Sequence, residues 1–576
     1  MTRTLELADI QGNIVRAYGK NNYPKARYFF LHIDDASAGR KFVEAVRRRT
    51  TTAARWDKDP KKHGKPGGAP LVTLNIAFTY YGLLALKLPT RTMQAMPAEF
   101  IDGMRKRAYI LGDSNLELPK GDLNEDYGSF GDFSRPGLES MAPPEEPSWD
   151  EKWDPIWKKN VGLSDDAVHI WMSMNSRVKP LTDEPVEELE QQTQWLRDLC
   201  DEVGGVRILA TNGAKGDQEY QSASAIFAEI DGLGKIPTPQ EHFGFSDGIG
   251  DPIFEGQLRP EDEKKAVPGR GKWMWPEKGW EPLATGEFVL GYPDESQELP
   301  PAAAPDEFMR NGSFLVYRKL HENVGSYRSY FASEAEKFAK AMDISKDQAE
   351  VTLQAKAVGR WPDGVPLARK PTYEEWQAFR DEIGLSAKDP IEAGKAMIKY
   401  RASSDIVDFK YGDDMHGYKC PNGAHLRRMN TRDYLDPLND MDGKNPDATT
   451  QLNKRRRILR RGLPYGASKL GVGSDETEQG IAFMVICANI FRQFEFVQQQ
   501  WIQYGLDFNQ GNNTCPMLGN HSVHKKYTIP SDPKSGKPPY ICDNLPQFVE
   551  TRGGDYFFIP SLTALRMMSM GVVDPT

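Results

Sequence analysis

The chain of 576 residues is 39% hydrophobic and 27% charged, which is the composition of a soluble globular protein with a sizeable core. Its formal net charge of -9 disfavours nucleic acid and anionic membranes as partners, because the overall field repels them unless a local basic patch intervenes. The five cysteines are scattered and form no Cys-x-x-Cys motif, which excludes a zinc signature, a c-type haem signature and a disulfide framework.

Strand and helix patterns are mixed in the N-terminal part of the chain. Residue patterns predict strands at 27–33, 71–79, 168–174 and 226–230, and amphipathic helices at 37–49 and 184–203. No Gly-x-Gly-x-x-Gly follows a strand and no Walker sequence occurs, so a nucleotide site is not indicated. Acids occupy the first ten residues where a signal peptide needs an apolar run, so we expect a cytoplasmic protein.

Residues 244–248, Gly-Phe-Ser-Asp-Gly, place the Asp247 carboxylate in a small and otherwise apolar turn. The flanking glycines allow a tight turn, and Phe245 would exclude water from the carboxylate. A carboxylate in such a place can move a proton if a cation lies nearby. The alternative is a surface turn in which Asp247 binds backbone NH groups.

The second half of the chain begins with a mostly irregular segment and contains a long helical section. We expect irregular structure at 256–306, strands at 287–292 and 312–318, and helices at about 333–402, where Thr372 could cap one helix. The longest apolar run, 480–491, is too short to span a bilayer and predicts a buried core element, so no membrane partner is expected. A strand at 556–560 and a helix at 561–570 end the pattern.

His425 stands out among the nine histidines because it lies between small residues and a cluster of arginines, at 420–433. Small neighbours would let a large flat group approach the ring, and the arginines could pair carboxylates such as haem propionates. The alternative is a hydrogen-bonded structural histidine.

The basic run at 454–461 suggests nuclear localisation or nucleic-acid binding, but Ile458 and Leu459 interrupt it and a Gly-Leu-Pro-Tyr-Gly turn follows. Alternation along a strand would place Arg460 on the same face as Ile458 and opposite to Arg461. One arginine should therefore face inward, where it needs an acid or an anionic ligand.

Four separated motifs resemble, in the same order, those of the dye-decolorizing peroxidase family: 9–14, 244–248, 423–432 and 458–466. The resemblance runs from residue 9 to the C-terminus. It implies an α+β fold of two ferredoxin-like modules of the dimeric α+β barrel type, in which helices surround antiparallel sheets. The N-terminal module would span 1–235 and the haem-binding module 236–576, with a helical insertion at about 325–415.

The same resemblance implies one haem b per chain, with His425 as the proximal iron ligand and Arg432 as a propionate partner. Asp247 and Arg460 would be the distal catalytic pair, and Ile481 and Phe483 would wall the distal pocket, although that apolar element could equally be plain core. Asp247 would act as base and then acid on hydrogen peroxide, while Arg460 would lower its pKa and stabilise developing negative charge. A carboxylate base predicts activity weighted toward acidic pH.

One departure from the family pattern concerns the partner of the proximal histidine. Cys515 stands where the family commonly has an acid, before Pro-Met-Leu-Gly, so Glu495, Asp507 or a backbone carbonyl could take its place. Surface aromatic residues could relay electrons from bulky dyes, with Trp501 and Tyr504 as candidates.

The leading hypothesis is a haem peroxidase that uses hydrogen peroxide to oxidise dyes, phenols or other aromatic donors. A haem-binding or haem-transfer protein without meaningful turnover is the alternative, and a nucleic-acid-binding protein is disfavoured by the acidic charge balance. The sequence does not decide whether the chain forms a homo-oligomer or binds an encapsulating shell.

Overall fold

The computed structural model describes residues 5–571, except for residues 58, 114–149, 233, 301–303, 440–444, 468, 472 and 522–524. Ten of the strands in these ranges form a single antiparallel sheet, and six more form three small hairpins beside it. Helices pack against both halves of this sheet.

The N-terminal half of the sheet is built from four strands in the order β2-β3-β1-β4, and β5 extends β1 at its start. These strands, with the adjoining hairpin β6–β7, are β1 Lys25–Ile33, β2 Val72–Phe78, β3 Ile170–Ser176, β4 Val206–Ile208, β5 Gln221–Ser224, β6 Phe227–Ile230 and β7 Gly234–Pro237. The helices of this half are α1 Gly12–Val15, α2 Ala36–Arg47, α3 Tyr80–Ala85, α4 Thr90–Gln94, α5 Ala98–Leu111, α6 Pro155–Lys159 and α7 Glu188–Val203.

The C-terminal half repeats the arrangement in the order β11-β13-β10-β16, and β12 extends the pairing with β13. Its strands are β8 Lys272–Trp273, β9 Trp280–Glu281, β10 Ser313–Glu322, β11 Leu459–Arg460, β12 Leu463–Tyr465, β13 Gly480–Cys487, β14 Tyr527–Ile529, β15 Tyr540–Cys542 and β16 Val549–Ile559. Its helices are α8 Pro260–Ala266, α9 Asp306–Met309, α10 Val324–Met342, α11 Lys346–Val358, α12 Tyr373–Ile383, α13 Pro390–Ala402, α14 His425–Met429 and α15 Leu562–Met570, and π-helical turns cover Ile490–Glu495 and Val497–Ile502.

In both halves the second, third, first and fourth main strands lie side by side in that order, which is the ferredoxin-like arrangement. The halves meet where Phe558 of β16 pairs with Phe78 of β2. The sheet runs from β11 to β4 without closing into a barrel. The predicted α+β fold of two ferredoxin-like modules is therefore confirmed, while the module boundaries stay a prediction.

Successive side chains of β13 point to opposite faces of the sheet. Ala482, Met484 and Ile486 are buried in the core shared with the N-terminal half, while Phe483 points to the opposite face. The predicted apolar element at 480–491 is thus a strand followed by a π-helical turn. Its length of uninterrupted apolar residues reflects burial on both faces.

The predicted strand at 287–292 is wrong. Residues 285–287 form a 3-10 turn, and the amides of Phe288 and Val289 both donate to the carbonyl of Thr285. The side chains of 288–290 are nevertheless fully buried. The apolar run therefore indicated a buried segment, and a sequence window this short does not distinguish a buried turn from a buried strand. Thr372 does cap α12, with Glu375 completing a capping box.

Candidate active site

The turn that holds Asp247 is fixed by backbone contacts on both sides. The Glu241 carboxylate accepts hydrogen bonds from the amides of Phe243 and Phe245 at 2.7 and 2.8 Å, and the Asp247 amide donates to the carbonyl of Pro239 at 2.8 Å. Gly244 and Gly248 have φ values of 96° and 75°, which side chains other than glycine rarely adopt. The Asp247 side chain stays 47% exposed.

Arg460 is the cation beside this carboxylate. Its Nη1 lies 2.7 Å from Oδ1 of Asp247, and its Nη2 donates to the carbonyl of Ile249 at 2.7 Å. Pairing of β11 with β13 turns Arg461 to the other face, where it donates to the carbonyl of Ile14 and pairs with Asp251. Burial lowers the pKa of Arg460, but Asp247 and Asp251 outweigh it and the net pKa is raised.

His425 is the first residue of α14, and its Nδ1 lies 3.4 Å from Sγ of Cys515. The two acids proposed as substitutes are engaged elsewhere, because Glu495 binds Arg107 and Tyr556, and Asp507 binds Trp501. The thiol of Cys515 is therefore the hydrogen-bond partner of the imidazole in the described part of the chain. Only Nδ1 of this ring makes a hydrogen bond within the described residues.

Two arginines of the cluster near His425 hold the segment itself. Arg427 and Arg428 are fully buried: the first pairs with Asp414 at 3.0 Å, and the second donates to the carbonyls of Gly423 and Trp501. Their role is to anchor α14, which positions the histidine.

Arg432 is different, because no carboxylate pairs with it in the described part of the chain. The residue is 3% exposed, and its guanidinium stacks on Phe409 at 3.8 Å and donates to the Phe409 carbonyl. Its Nε is buried and has no hydrogen-bond partner among the residues with coordinates. Burial lowers its pKa, so this charge is costly without an anion.

Sequence patterns did not reveal two further buried arginines. Arg360 donates to the carbonyls of Gly364 and Ile406, and Arg457 donates to the carbonyl of Gly250. Burial lowers the pKa of Arg360 to about 10 and that of Arg457 to about 9, and the charge of Arg432 contributes to both shifts. Across the described ranges neither has a carboxylate partner. Arg457 lies in the basic run at 454–461, whose pattern suggested nucleic-acid binding and gave no sign of burial, and Arg360 lies in a segment without a comparable pattern.

A cavity lies between the C-terminal half of the sheet and the π-helical turns. Its apolar walls include Phe483, Ile458, Met429, Leu320 and Leu518. Register places Ile481 opposite Leu320, on the same face of the sheet as the cavity. Both residues predicted to wall the pocket thus lie on the face that borders this cavity.

These residues suit haem. A single imidazole with one nitrogen engaged can ligate iron through the other, and the buried guanidiniums without carboxylate partners can donate hydrogen bonds to two carboxylates. Three separate segments supply these groups: α14, the strands around β13, and the loops that carry Arg360 and Arg432.

Two other predictions concern the proposed electron-relay residues Trp501 and Tyr504 and the basic run at 454–461. Trp501 is 2% exposed, so it is not a surface residue, whereas Tyr504 is 43% exposed. Lys454 and Arg455 of the basic run pair with Glu295 and Asp294. None of the helices in the described ranges combines the length and the apolar character that crossing a bilayer requires.

Comparisons with known proteins find relatives among the dye peroxidases. A family model for the DyP dimeric alpha+beta barrel domain matches residues 9–194. The chain is 26% identical over 584 residues to a dye-decolorizing peroxidase of Mycetinis scorodonius, with 98% of this chain and 87% of that protein covered. It is 28% identical over 350 residues to the multifunctional dye peroxidase DyP2 of an Amycolatopsis species, with 57% of this chain and 61% of that protein covered.

Among solved structures, a fungal DyP-type peroxidase from Auricularia auricula-judae is similar at a TM-score of 0.65 and 21% identity, with 99% of this chain and 100% of that chain covered. A dye-decolorizing peroxidase in complex with 2,6-dimethoxyphenol is similar at a TM-score of 0.64 and 22% identity, with 98% of this chain covered and 100% of that one. Likeness at this identity shows a common fold over nearly the whole chain.

Proposed function

We propose that the chain is a haem peroxidase of the dye-decolorizing peroxidase family, which reduces hydrogen peroxide at haem b and oxidises aromatic donors in one-electron steps. The observation that carries the proposal is the pairing of Arg460 with Asp247 at 2.7 Å, in which the Asp247 side chain stays 47% exposed. These two residues are 213 positions apart, so only the fold brings them together.

His425 would hold the iron, and Arg432, with Arg360 and Arg457 behind it, would compensate the propionates. When bound, haem supplies the iron centre that reduces peroxide and then withdraws single electrons from the donor. Phe483 and Ile481 would keep bulk water and large donors away from that centre.

Asp247 would move one proton between the two oxygens of peroxide. Its carboxylate accepts the proton of one oxygen and returns it to the departing oxygen, which requires a group that acts first as base and then as acid. Arg460 keeps this carboxylate ionised before the transfer, and its preorganised charge stabilises the negative charge that develops as the O–O bond breaks. A haem-transfer protein would need neither group, so the pair disfavours that alternative.

The test compares the wild type with His425→Ala, Asp247→Asn and Arg460→Leu. Asp347→Asn, a change of an exposed acid at the start of α11, is the matched control. We expect the histidine variant to lose the haem spectrum of the wild type. Both distal variants should keep haem but lose peroxide-dependent oxidation of an anthraquinone dye by about 10²–10⁴-fold.

Full haem occupancy with an unchanged spectrum in His425→Ala would contradict the ligand assignment. Wild-type turnover in both distal variants would contradict the mechanism. Absence of haem binding by the wild type would contradict the proposed function as a whole.

A further inference from the structure

A basic groove lies on the protein surface where α15 packs against α2. It has a volume of about 880 Å³, and Trp195 of α7 and Met570 of α15 give it some apolar surface. Glu44 is the one acid among the described residues that line it. Six of the lining residues are cations: Arg40, Lys41, Arg47, Arg48, Arg49 and Arg566.

The charge of this groove is opposite to that of the chain. Six cations and one acid give its lining a formal charge of +5, so the other residues of the chain carry -14 of a total of -9. Lys41 has Ser37 and Ala45 four positions away on either side, and α15 contains no acid at all. The two helices therefore lack the acids at four-residue spacing that pair with cations on a solvated helix face.

Three of the arginines are held in place by contacts within the groove. The Glu44 carboxylate accepts hydrogen bonds from Nε of Arg47 at 2.8 Å and from Nε of Arg48 at 2.9 Å. The Arg49 guanidinium lies 4.3 Å from the ring centre of Trp195. Because these side chains are already ordered, an anion that binds them loses less conformational entropy than it would with freely moving lysines.

The other cations leave charge available to a ligand. Arg40 donates to the carbonyl of Leu86 at 3.0 Å through Nη2, which keeps its guanidinium at the edge of the groove. Lys41 and Arg566 are exposed, and among the described residues their side chains make neither an ion pair nor a hydrogen bond. An anion in the groove can therefore pair with these two without breaking an existing contact.

We propose that this groove docks a short acidic segment of a partner protein. Planar guanidiniums match the two oxygens of a carboxylate, so aspartate and glutamate side chains suit the arginines. Met570 is 56% exposed and Trp195 is half-buried, so both can cover an apolar side chain that lies between the acids. The partner segment is thus acidic with one or two apolar residues.

The length of the groove and the charge around it favour such a segment over a longer polyanion. From Ser37 to Arg49 it follows about 18 Å of helix, which an extended chain covers with about five or six residues. A nucleic-acid duplex or an anionic membrane would reach beyond the groove and meet the -14 charge of the other residues. A peptide of six residues stays within the basic lining.

The experiment measures the fluorescence anisotropy of a labelled hexapeptide, Glu-Glu-Leu-Glu-Glu-Leu, titrated with the holoenzyme. The double variant Lys41→Gln with Arg566→Gln should raise Kd about fivefold, as loss of two exposed ion pairs would. Lys61→Gln with Lys65→Gln removes two exposed lysines outside the groove and should leave Kd unchanged. Binding should weaken as NaCl rises from about 20 to about 200 mM, because the screening length falls.

Glu44→Gln gives a change in the opposite direction. It removes the one acid of the described lining and frees Arg47 and Arg48 for the ligand, so Kd should fall about threefold. A variant that merely loosened α2 would instead weaken binding. The peptide in which glutamine replaces every glutamate should not bind.

Three results would overturn the proposal. One is a wild type that does not bind the acidic peptide even at about 20 mM NaCl, and another is a Kd that is equal in the wild type and in both groove variants. The third is a different occupant that is lost in Lys41→Gln with Arg566→Gln: a DNA duplex of 30 base pairs or a phosphatidylserine vesicle that binds more tightly than the peptide, or a second copy of the chain seen by sedimentation.

Discussion

Replacement of Cys515 by aspartate is expected to make bound haem harder to reduce. The thiol sulfur lies 3.4 Å from Nδ1 of His425. A neutral imidazole that binds iron through Nε2 carries its proton on Nδ1, so in the holoenzyme the sulfur would accept this hydrogen bond and orient the ring. A neutral sulfur is a weak acceptor, whereas a carboxylate in the same place accepts a charge-assisted hydrogen bond and makes the imidazole a stronger electron donor. A stronger donor stabilises ferric iron more than ferrous iron, so the reduction potential falls.

The size of this shift follows from hydrogen-bond energies. A neutral hydrogen bond contributes about 0.5–1.5 kcal/mol and one to a charged group about 1.5–3 kcal/mol, so the exchange strengthens the bond by roughly 1 kcal/mol. Only the part of this energy that favours ferric over ferrous haem changes the potential, and about 59 mV corresponds to 1.4 kcal/mol for a one-electron couple, so the shift is at most about -40 mV. Cys515→Ala removes the acceptor and should shift the potential in the opposite direction.

The assay is a spectroelectrochemical titration of the holoenzyme at one pH, together with the iron–histidine stretching frequency from resonance Raman spectra. Cys542→Ser is the matched control, because Cys542 is a buried free thiol of the same apolar cluster that does not contact His425. Potentials should rise in the order Cys515→Asp, wild type, Cys515→Ala. A potential that is equal in all of them, or that rises in Cys515→Asp, would refute the role of the sulfur.

Three further predictions concern groups around the site. Arg427→Gln leaves the Asp414 carboxylate buried without its charge partner and should lower the free energy of unfolding by about 3–5 kcal/mol in chemical denaturation, and an unchanged midpoint would contradict this. Burial raises the pKa of Glu241 from its ordinary value of 4.5 to about 8. Between these two pH values the folded chain keeps a proton on Glu241 that the unfolded chain has lost. The free energy of unfolding should therefore fall as the pH rises from about 4.5 to about 8. Glu241→Gln should make the melting temperature less dependent on pH between about pH 5 and 8. A pH dependence equal to that of the wild type would contradict the raised pKa of Glu241. Arg360→Gln should weaken haem affinity about tenfold or more in competition with apomyoglobin, whereas Arg369→Gln should not.

Much of the fold was predictable because its signals are local. The strand that became β1, the helix that became α2 and the Thr372 cap were all indicated by residue spacing, and the structure agrees within a few residues. The structure of residues 287–292 was not predicted correctly, because an apolar run indicates that a segment is buried and does not indicate which backbone hydrogen bonds it makes. The prediction of Trp501 as a surface residue was wrong because Trp501 packs against Phe508 and donates to Asp507, and these contacts bury it.

The sequence alone determined that Asp247 lies in a glycine-bounded turn, that Arg460 and Arg461 face opposite sides, and that His425 sits among small residues, because each depends on neighbours within a few positions. Tertiary structure decided which groups meet. It set Arg460 against Asp247, chose Cys515 over Glu495 as the partner of His425, and brought Arg401 and Arg457 to main-chain oxygens of the turn. Such contacts arise from the packing of β11 and the helical section against the turn, and no local spacing encodes them.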